Sequence, residues 1–278
     1  MHTPEIVLLG GPDSGKTHFA GQLYGRLKRN PGLLELRDTP ADLSALEEVL
    51  HCLENGHAAG HTSAGTWTDV LLPLKDKRGN ELDLRWPDYG GEQLRTIFTE
   101  RQVTETWRSE LRQADGWLLL IRLKKEITYP DALKELVKRP SASNGAAARA
   151  GEWDGNARWV ELLQILLHVA GVNTVSHGEQ PRLAVLLSCY DELTTDGLLP
   201  CQVLAEHLPL VSAFIDSIWK PSAVSVWGLS ALGCLLEQNS DNENFINQGP
   251  EYQGWVVSPD GQQDSDLSRP LAWLLGAK

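Results

Sequence analysis

Apolar runs without alternation mark the strands of this chain. Ile6 to Leu9, Trp117 to Leu123 and Leu183 to Ser188 are too short for ordinary helices and apolar almost throughout, the pattern of strands buried on both faces. Ala223 to Gly228 predicts a further short strand. Between them the period changes to that of a helix. Phe19, Ala20, Leu23 and Leu27 form one stripe from Lys16 to about Lys28, closed by Asn30-Pro31-Gly32. Leu43, Leu46, Val49, Leu50 and Leu53 form a second from about Ala41, stopped by Asn55-Gly56. Helices are also expected over Glu92 to Arg112, Ala157 to Ala170, and Leu198 to Ile218 with a break near Pro209. Val70 to Lys75 and Glu81 to Trp86, joined by Arg78-Gly79-Asn80, read as an antiparallel hairpin with Leu82, Leu84 and Trp86 on its buried face. Pro73 has no N–H for a ladder, which places the first hairpin strand at the sheet edge. Strands alternating with helices predict a three-layer α/β fold, its sheet mostly parallel with one antiparallel edge strand.

Some stretches carry no period. Gly56 to Gly65 is rich in Gly, Ala, His and Ser and reads as a mobile loop; Pro140 to Gly151 is of low complexity. Asn239 to Gly249 is polar, followed by a strand at Trp255 to Val257 and a closing helix at Leu267 to Leu275. His51, His57 and His61 read as polar loop residues, because no carboxylate or thiol stands at ligand spacing from them.

Composition narrows the class. With 278 residues, 41% of them hydrophobic, the chain buries one large core, and its ten tryptophans should mostly lie there. A net charge of −12 argues against nucleic acid as a main partner. Four scattered cysteines without a CxxC pair suggest neither zinc nor disulfides and point to a reducing, cytoplasmic setting. Apolar stretches such as Leu162 to Ala170 fall short of the roughly 20 residues of a membrane helix. The first strand begins directly after Glu5, with no targeting pattern ahead of it.

The chemistry begins where the first strand ends. Gly10-Gly11-Pro12-Asp13-Ser14-Gly15-Lys16-Thr17 fits GxxxxGK[ST] between an apolar strand and an amphipathic helix, the context a phosphate-binding loop requires. Successive N–H groups from Asp13 through Ser14, Gly15, Lys16 and Thr17 to His18 turn inward as a nest around a β-phosphate, with the helix dipole aimed at the same anion. Lys16 would neutralise charge on the β- and γ-phosphates, and the Thr17 hydroxyl would ligate Mg²⁺. The expected ligand is a nucleoside triphosphate. Asp88-Tyr89-Gly90-Gly91 follows the second hairpin strand and fits DxxG: the carboxylate would hold Mg²⁺ through water, and the Gly91 N–H would bond the γ-phosphate.

With these motifs the chain resembles the Ras-like and Arf-like small GTPases of the translation-factor-related P-loop class, over most of Glu5 to Ala231. Two further motifs carry the resemblance. Ser188-Cys189-Tyr190-Asp191 stands after a strand where the family has (N/T)KxD, and Asp191 would accept from guanine N1 and N2. Ser188 replaces the family's Asn or Thr there, and Cys189 its Lys. Ser230-Ala231 matches the family's SA turn, whose N–H meets guanine O6.

The resemblance also implies a switch threonine meeting Mg²⁺ and the γ-phosphate. Superposing the hairpins places Thr66 there, with Thr62 and Thr68 as rivals, and makes Gly56 to Gly65 the first switch. Glu92 takes the place after DxxG where the family commonly has a water-orienting Gln, which implies slow hydrolysis. Arg95 and Arg101 are candidate transition-state cations, and Pro12 would crowd an arginine supplied by a partner.

The implied organisation is a Ras-like P-loop domain over 1–238 with an insertion at about 124–156, and an extension over 239–278 packing on the core. Larger divergent bacterial GTPases are similar in carrying such extensions. The implied function is a GTP/GDP-binding switch with Mg²⁺-dependent hydrolysis, in which Lys16, Thr66 and Glu92 are catalytic and a protein effector or regulator is the partner. A P-loop ATPase, or a nucleotide-bound adaptor with negligible turnover, is the alternative.

Overall fold

The computed structural model describes residues 2–40, 42–60, 68–88, 97–129, 154–175 and 177–276, with backbone alone at 45, 68, 69 and 86–88. Nine strands form one sheet in the order β2-β3-β4-β1-β5-β6-β7-β8-β9. They are β1 (Glu5–Gly10), β2 (Leu34–Leu36), β3 (Thr68–Asp76), β4 (Glu81–Asp88), β5 (Gly116–Ile121), β6 (Arg182–Ser188), β7 (Val224–Ser230), β8 (Trp255–Val257) and β9 (Gln263–Asp264). The inner block β4-β1-β5-β6-β7 is parallel. β3 and β2 extend it antiparallel on one flank, and β8 and β9 do so on the other. The sheet is mostly parallel, as its apolar runs predict, but antiparallel pairs close both flanks rather than one.

The runs are apolar at every position because both faces are covered. Along β1, β5 and β6, Val7, Leu9, Trp117, Leu119, Ile121, Leu183, Val185 and Leu187 enter one core. The intervening Ile6, Leu8, Leu118, Leu120, Ala184 and Leu186 enter the other. This period of two is what a pleated strand imposes. The first core is roofed by α3 (Glu105–Gln113), α4 (Gly155–Ala170), α5 (Pro200–His207) and α6 (Pro209–Ile218). The second is roofed by α1 (Lys16–Arg29), α2 (Ser44–Glu54) and α8 (Arg269–Leu274), while α7 (Glu243–Gln248) joins a smaller cluster. α1 and α2 approach closely because Gly21 and Gly25 are glycines. A Cβ there would stand 2.5 Å from Val49 Cγ1 and 2.9 Å from Leu50 Cδ1.

Two local expectations change. Pro73 does not lie on an edge strand: β2 pairs with β3 outside it. The Pro73 carbonyl accepts from Arg37 N at 2.9 Å, just past the end of β2. In an antiparallel pair a residue's N–H and C=O face the same neighbour. The missing N–H of Pro73 therefore faces the frayed end of a three-residue edge strand, and the ladder to β4 loses nothing. The helix expected up to Arg112 is also broken. Residues 97–100 are helical, Arg101 turns to φ 53, and Thr104 starts α3 afresh by accepting from Trp107 N at 3.4 Å. The N-cap hydroxyl supplies the acceptor that an interior threonine does not.

Candidate functional site

The carboxyl ends of β1, β6 and β7 open on one cavity of about 610 Å³. β1 delivers the phosphate loop. Gly10 must be glycine, since a Cβ would stand 2.7 Å from Ser14 Oγ and 3.2 Å from Leu120. Gly15 adopts φ 79 at the start of α1, where no side chain caps the helix and no acidic residue occupies the first turn. The loop's form is held internally. Ser14 Oγ donates to the Gly11 carbonyl at 2.8 Å, and the buried Lys16 ammonium donates to the Gly10 and Gly11 carbonyls at 2.7 and 2.8 Å.

β6 and β7 supply the opposite wall. Ser188 ends β6 with its hydroxyl buried and without a hydrogen-bond partner among the described residues. Cys189 then adopts a left-handed conformation (φ 50, ψ 45) and opens a 3-10 turn over Tyr190–Glu192. Tyr190 anchors this turn. Its ring lies over Gly228, where a Cβ would stand 2.8 Å away, and meets Trp255 edge-on at 6.3 Å. Asp191 is thereby set in the cavity lining with its side chain exposed. After β7, Gly233 N donates to Ser230 Oγ at 2.9 Å, closing a turn that presents Ala231 to the cavity.

Arg122, immediately after β5, completes the floor. It pairs with Glu192 and donates to the Asp13 carbonyl. The Glu192 hydrogen bond raises the guanidinium pKa, so its charge is permanent. Burial pushes the Cys189 thiol up to about 11. A raised value keeps the neutral thiol dominant until pH climbs toward 11, and the thiolate is the reactive form. At neutral pH iodoacetamide should therefore modify the exposed Cys201 well before Cys189, with Cys189 labelling accelerating as pH rises. Peptide mass mapping over a pH series checks this; equal rates at neutral pH contradict it.

The glycine-rich turn after β1 and the turns after β6 and β7 face one another across one cleft. The model of the Double-GTPase 1 family matches residues 7–274. The chain belongs to the double-GTPase 1 family. Membership supports guanine-nucleotide binding. No curated protein matches the chain. Among solved structures it is similar to the Arl6 BBS3 small GTPase of Trypanosoma brucei with bound GppNp, at 12% identity and TM-score 0.39, covering 91% of this chain and 99% of that one. It is also similar to the signal recognition particle receptor SRb-GTP/SRX complex of Chaetomium thermophilum, at 14% identity and TM-score 0.39, covering 85% and 94%. A bacterial selenocysteine-specific elongation factor matches at 12% identity and TM-score 0.38, covering 83% of this chain and 26% of that one.

In this double-GTPase chain, Asp13, Ser14, Gly15, Lys16, Thr17, His18, Ser188, Asp191 and Ala231 all line the one cavity. Gly10 and Ser230 stand behind the lining and shape it. Thr62, Thr66, Gly91, Glu92, Arg95 and His61 lie outside the described residues, as do 130–153 of the expected insertion, and Asp88 is described by backbone alone. Arg101 pairs with Glu161 and lines a separate depression with Arg108 and Arg112. The start of the segment from Gly56, expected as the first switch, is docked: Ala58 N donates to Glu237 O at 2.9 Å, and Gly56 O accepts from Asn242 N and Ser240 Oγ, each at 3.0 Å. Sequence reasoning missed Arg122, Glu192 and the 232–238 wall. Arg122 does carry a signal, being a charged residue just past the end of a buried parallel strand, where ligands of such sheets bind.

No helix among the described residues is long and apolar enough to cross a membrane.

Proposed function

We propose that this chain is a GTP-binding switch that hydrolyses GTP slowly with Mg²⁺ and reports its nucleotide state to a protein partner. One observation carries the reading: three segments far apart in sequence, 12–18, 188–192 and 229–238, line one cavity. In this reading the amides of residues 13–18 hold the phosphates and Lys16 neutralises them. Asp191 accepts from guanine N1 and N2, the Ala231 N–H donates to O6, and the Ser188 hydroxyl, without a partner among the described residues, supplies a further polar group beside the base.

The residues suit Mg²⁺. Thr17 offers a hydroxyl in the cavity. The parallel register of β4 on β1 brings Asp88 to the same end of the sheet as Gly10. Hydroxyl and carboxylate oxygens are the donors a hard cation prefers. Bound there with Thr66, the ion would offset charge on the β- and γ-phosphates. Glu92 orients the attacking water, and its own negative charge beside the γ-phosphate keeps turnover slow. The unit proposed for this work is 1–238 with its insertion, and 239–278 supports it.

Calorimetric competition between GTP and ATP tests the base reading. GTP should bind more tightly, and Asp191→Ala should weaken GTP by at least tenfold, as expected for lost hydrogen bonds to a charged group, while leaving ATP little changed. Tighter ATP binding overturns the GTP reading. GTP left intact for many hours with a cognate partner present supports a nucleotide-bound adaptor instead.

A further inference from the structure

We infer that Arg122 is the positioning residue that locks the base-reading turn to the phosphate loop and so sets both nucleotide retention and base preference. This rests on the guanine-nucleotide reading and deepens it. β5 lies between β1 and β6 in the sheet, so a side chain just past its carboxyl end reaches the loops on both sides. Arg122 does so. Its Nε and Nη2 reach Glu192 Oε2 and Oε1 at 3.3 and 2.5 Å, and its Nη1 donates to the Asp13 carbonyl at 3.3 Å. The pair is largely shielded, at 22% exposure for Arg122 and 14% for Glu192, which lessens screening by water and salt.

Both loops it joins are strained. Asp13 has φ 54 and Cys189 has φ 50, a region that residues other than glycine seldom occupy. Such conformations persist where the surroundings over-determine them. The guanidinium holds the Asp13 carbonyl directly. In a trans peptide the following N–H points the opposite way, so the Ser14 amide is turned away from Arg122. On the other side Glu192, held by the same cation, donates its N–H to the Cys189 carbonyl at 2.9 Å. Asp191 sits between these two clamped residues. Cys189 itself, short and neutral, supplies no such link. An arginine is needed because only a planar fork grips a carboxylate with two donors and keeps a third for a carbonyl.

The test uses Arg122→Ala, Arg122→Lys, Glu192→Gln and Asp191→Ala in the full chain. Release of a fluorescent methylanthraniloyl-GDP and the GTP-to-ATP affinity ratio are measured beside thermal unfolding of the ligand-free protein. Arg122→Ala should release GDP at least tenfold faster and shrink the GTP-to-ATP ratio. Glu192→Gln should do the same more mildly, and Arg122→Lys should recover slow release only in part. An Arg122→Ala protein with wild-type release and ratio overturns the inference, as does lowered unfolding temperature with both unchanged. If Arg122→Ala does not fold, the lysine and glutamine variants decide by the same readouts. An Asp191→Ala ratio equal to wild type overturns the guanine reading itself, whereas a collapsed Asp191→Ala ratio beside an unaltered Arg122→Ala ratio overturns this inference alone.

Discussion

Lys16→Ala should bind GTP at least a hundredfold more weakly than the wild type in calorimetry, while the ligand-free protein unfolds at a similar temperature. The ammonium is buried and donates to loop groups: the Gly10 and Gly11 carbonyls and, at 3.5 Å, Ser14 Oγ. A triphosphate brought into the cavity adds several negative charges beside it, out of bulk water. Hydrogen bonds to charged groups are worth about 1.5–3 kcal/mol, and 1.4 kcal/mol is a factor of ten. Loss of more than one such contact gives the expected factor. Without nucleotide, the desolvation cost of the buried cation is removed together with its hydrogen bonds to the Gly10 and Gly11 carbonyls, and the two changes offset. Full affinity in Lys16→Ala would remove the basis of the proposed function, whatever the base preference.

The largest stability effect is expected at Trp117→Ala. Trp117 is fully buried on β5, in the middle of the parallel block, and packs edge-on against Trp219 at 6.3 Å and 66°. Truncating a buried tryptophan costs about 3–5 kcal/mol, against a total near 5–15 kcal/mol for a typical domain. Urea unfolding should show the midpoint falling sharply with an unchanged slope. Trp117→Phe should cost far less. The Trp219 indole donates to the Pro181 carbonyl at 2.7 Å, whereas the Trp117 indole nitrogen has no partner among the described residues, so phenylalanine discards an unpaired donor while keeping most of the apolar area. Equal loss in both variants would contradict this account.

The strands of the inner block were legible because burial on both faces writes itself as runs of apolar residues without alternation, as in Ile6 to Leu9 of β1 and Leu183 to Leu187 of β6. The phosphate loop was legible because its glycines, lysine and threonine each answer a separate physical demand. β2 was not, since Leu34-Glu35-Leu36 is too short to show a period. The break before α3 was hidden because Ile97, Trp107 and Leu111 share one apolar face across it. Arg122 was absorbed into an apolar run whose last strand residue is Ile121; its role depends on which strands become neighbours, and that is a property of topology. The wall at 232–238 carries no motif. It reaches the cavity through long-range main-chain pairing with residues 56–58, which no local pattern records.

That pairing bears on how the molecule can be dissected. Gly56 takes hydrogen bonds from Ser240 and Asn242, and Ala58 gives one to Glu237, while β8 shields the outer edge of β7. A version cut back near residue 238, at the size of a minimal nucleotide-binding unit, would keep Glu237 but lose the Ser240 and Asn242 anchors beside the rim of its own pocket and bare the strand that carries Ser230. The carboxyl-terminal forty residues brace one wall of the cavity from behind, and any shortened form should be judged first by how fast it releases a bound nucleotide.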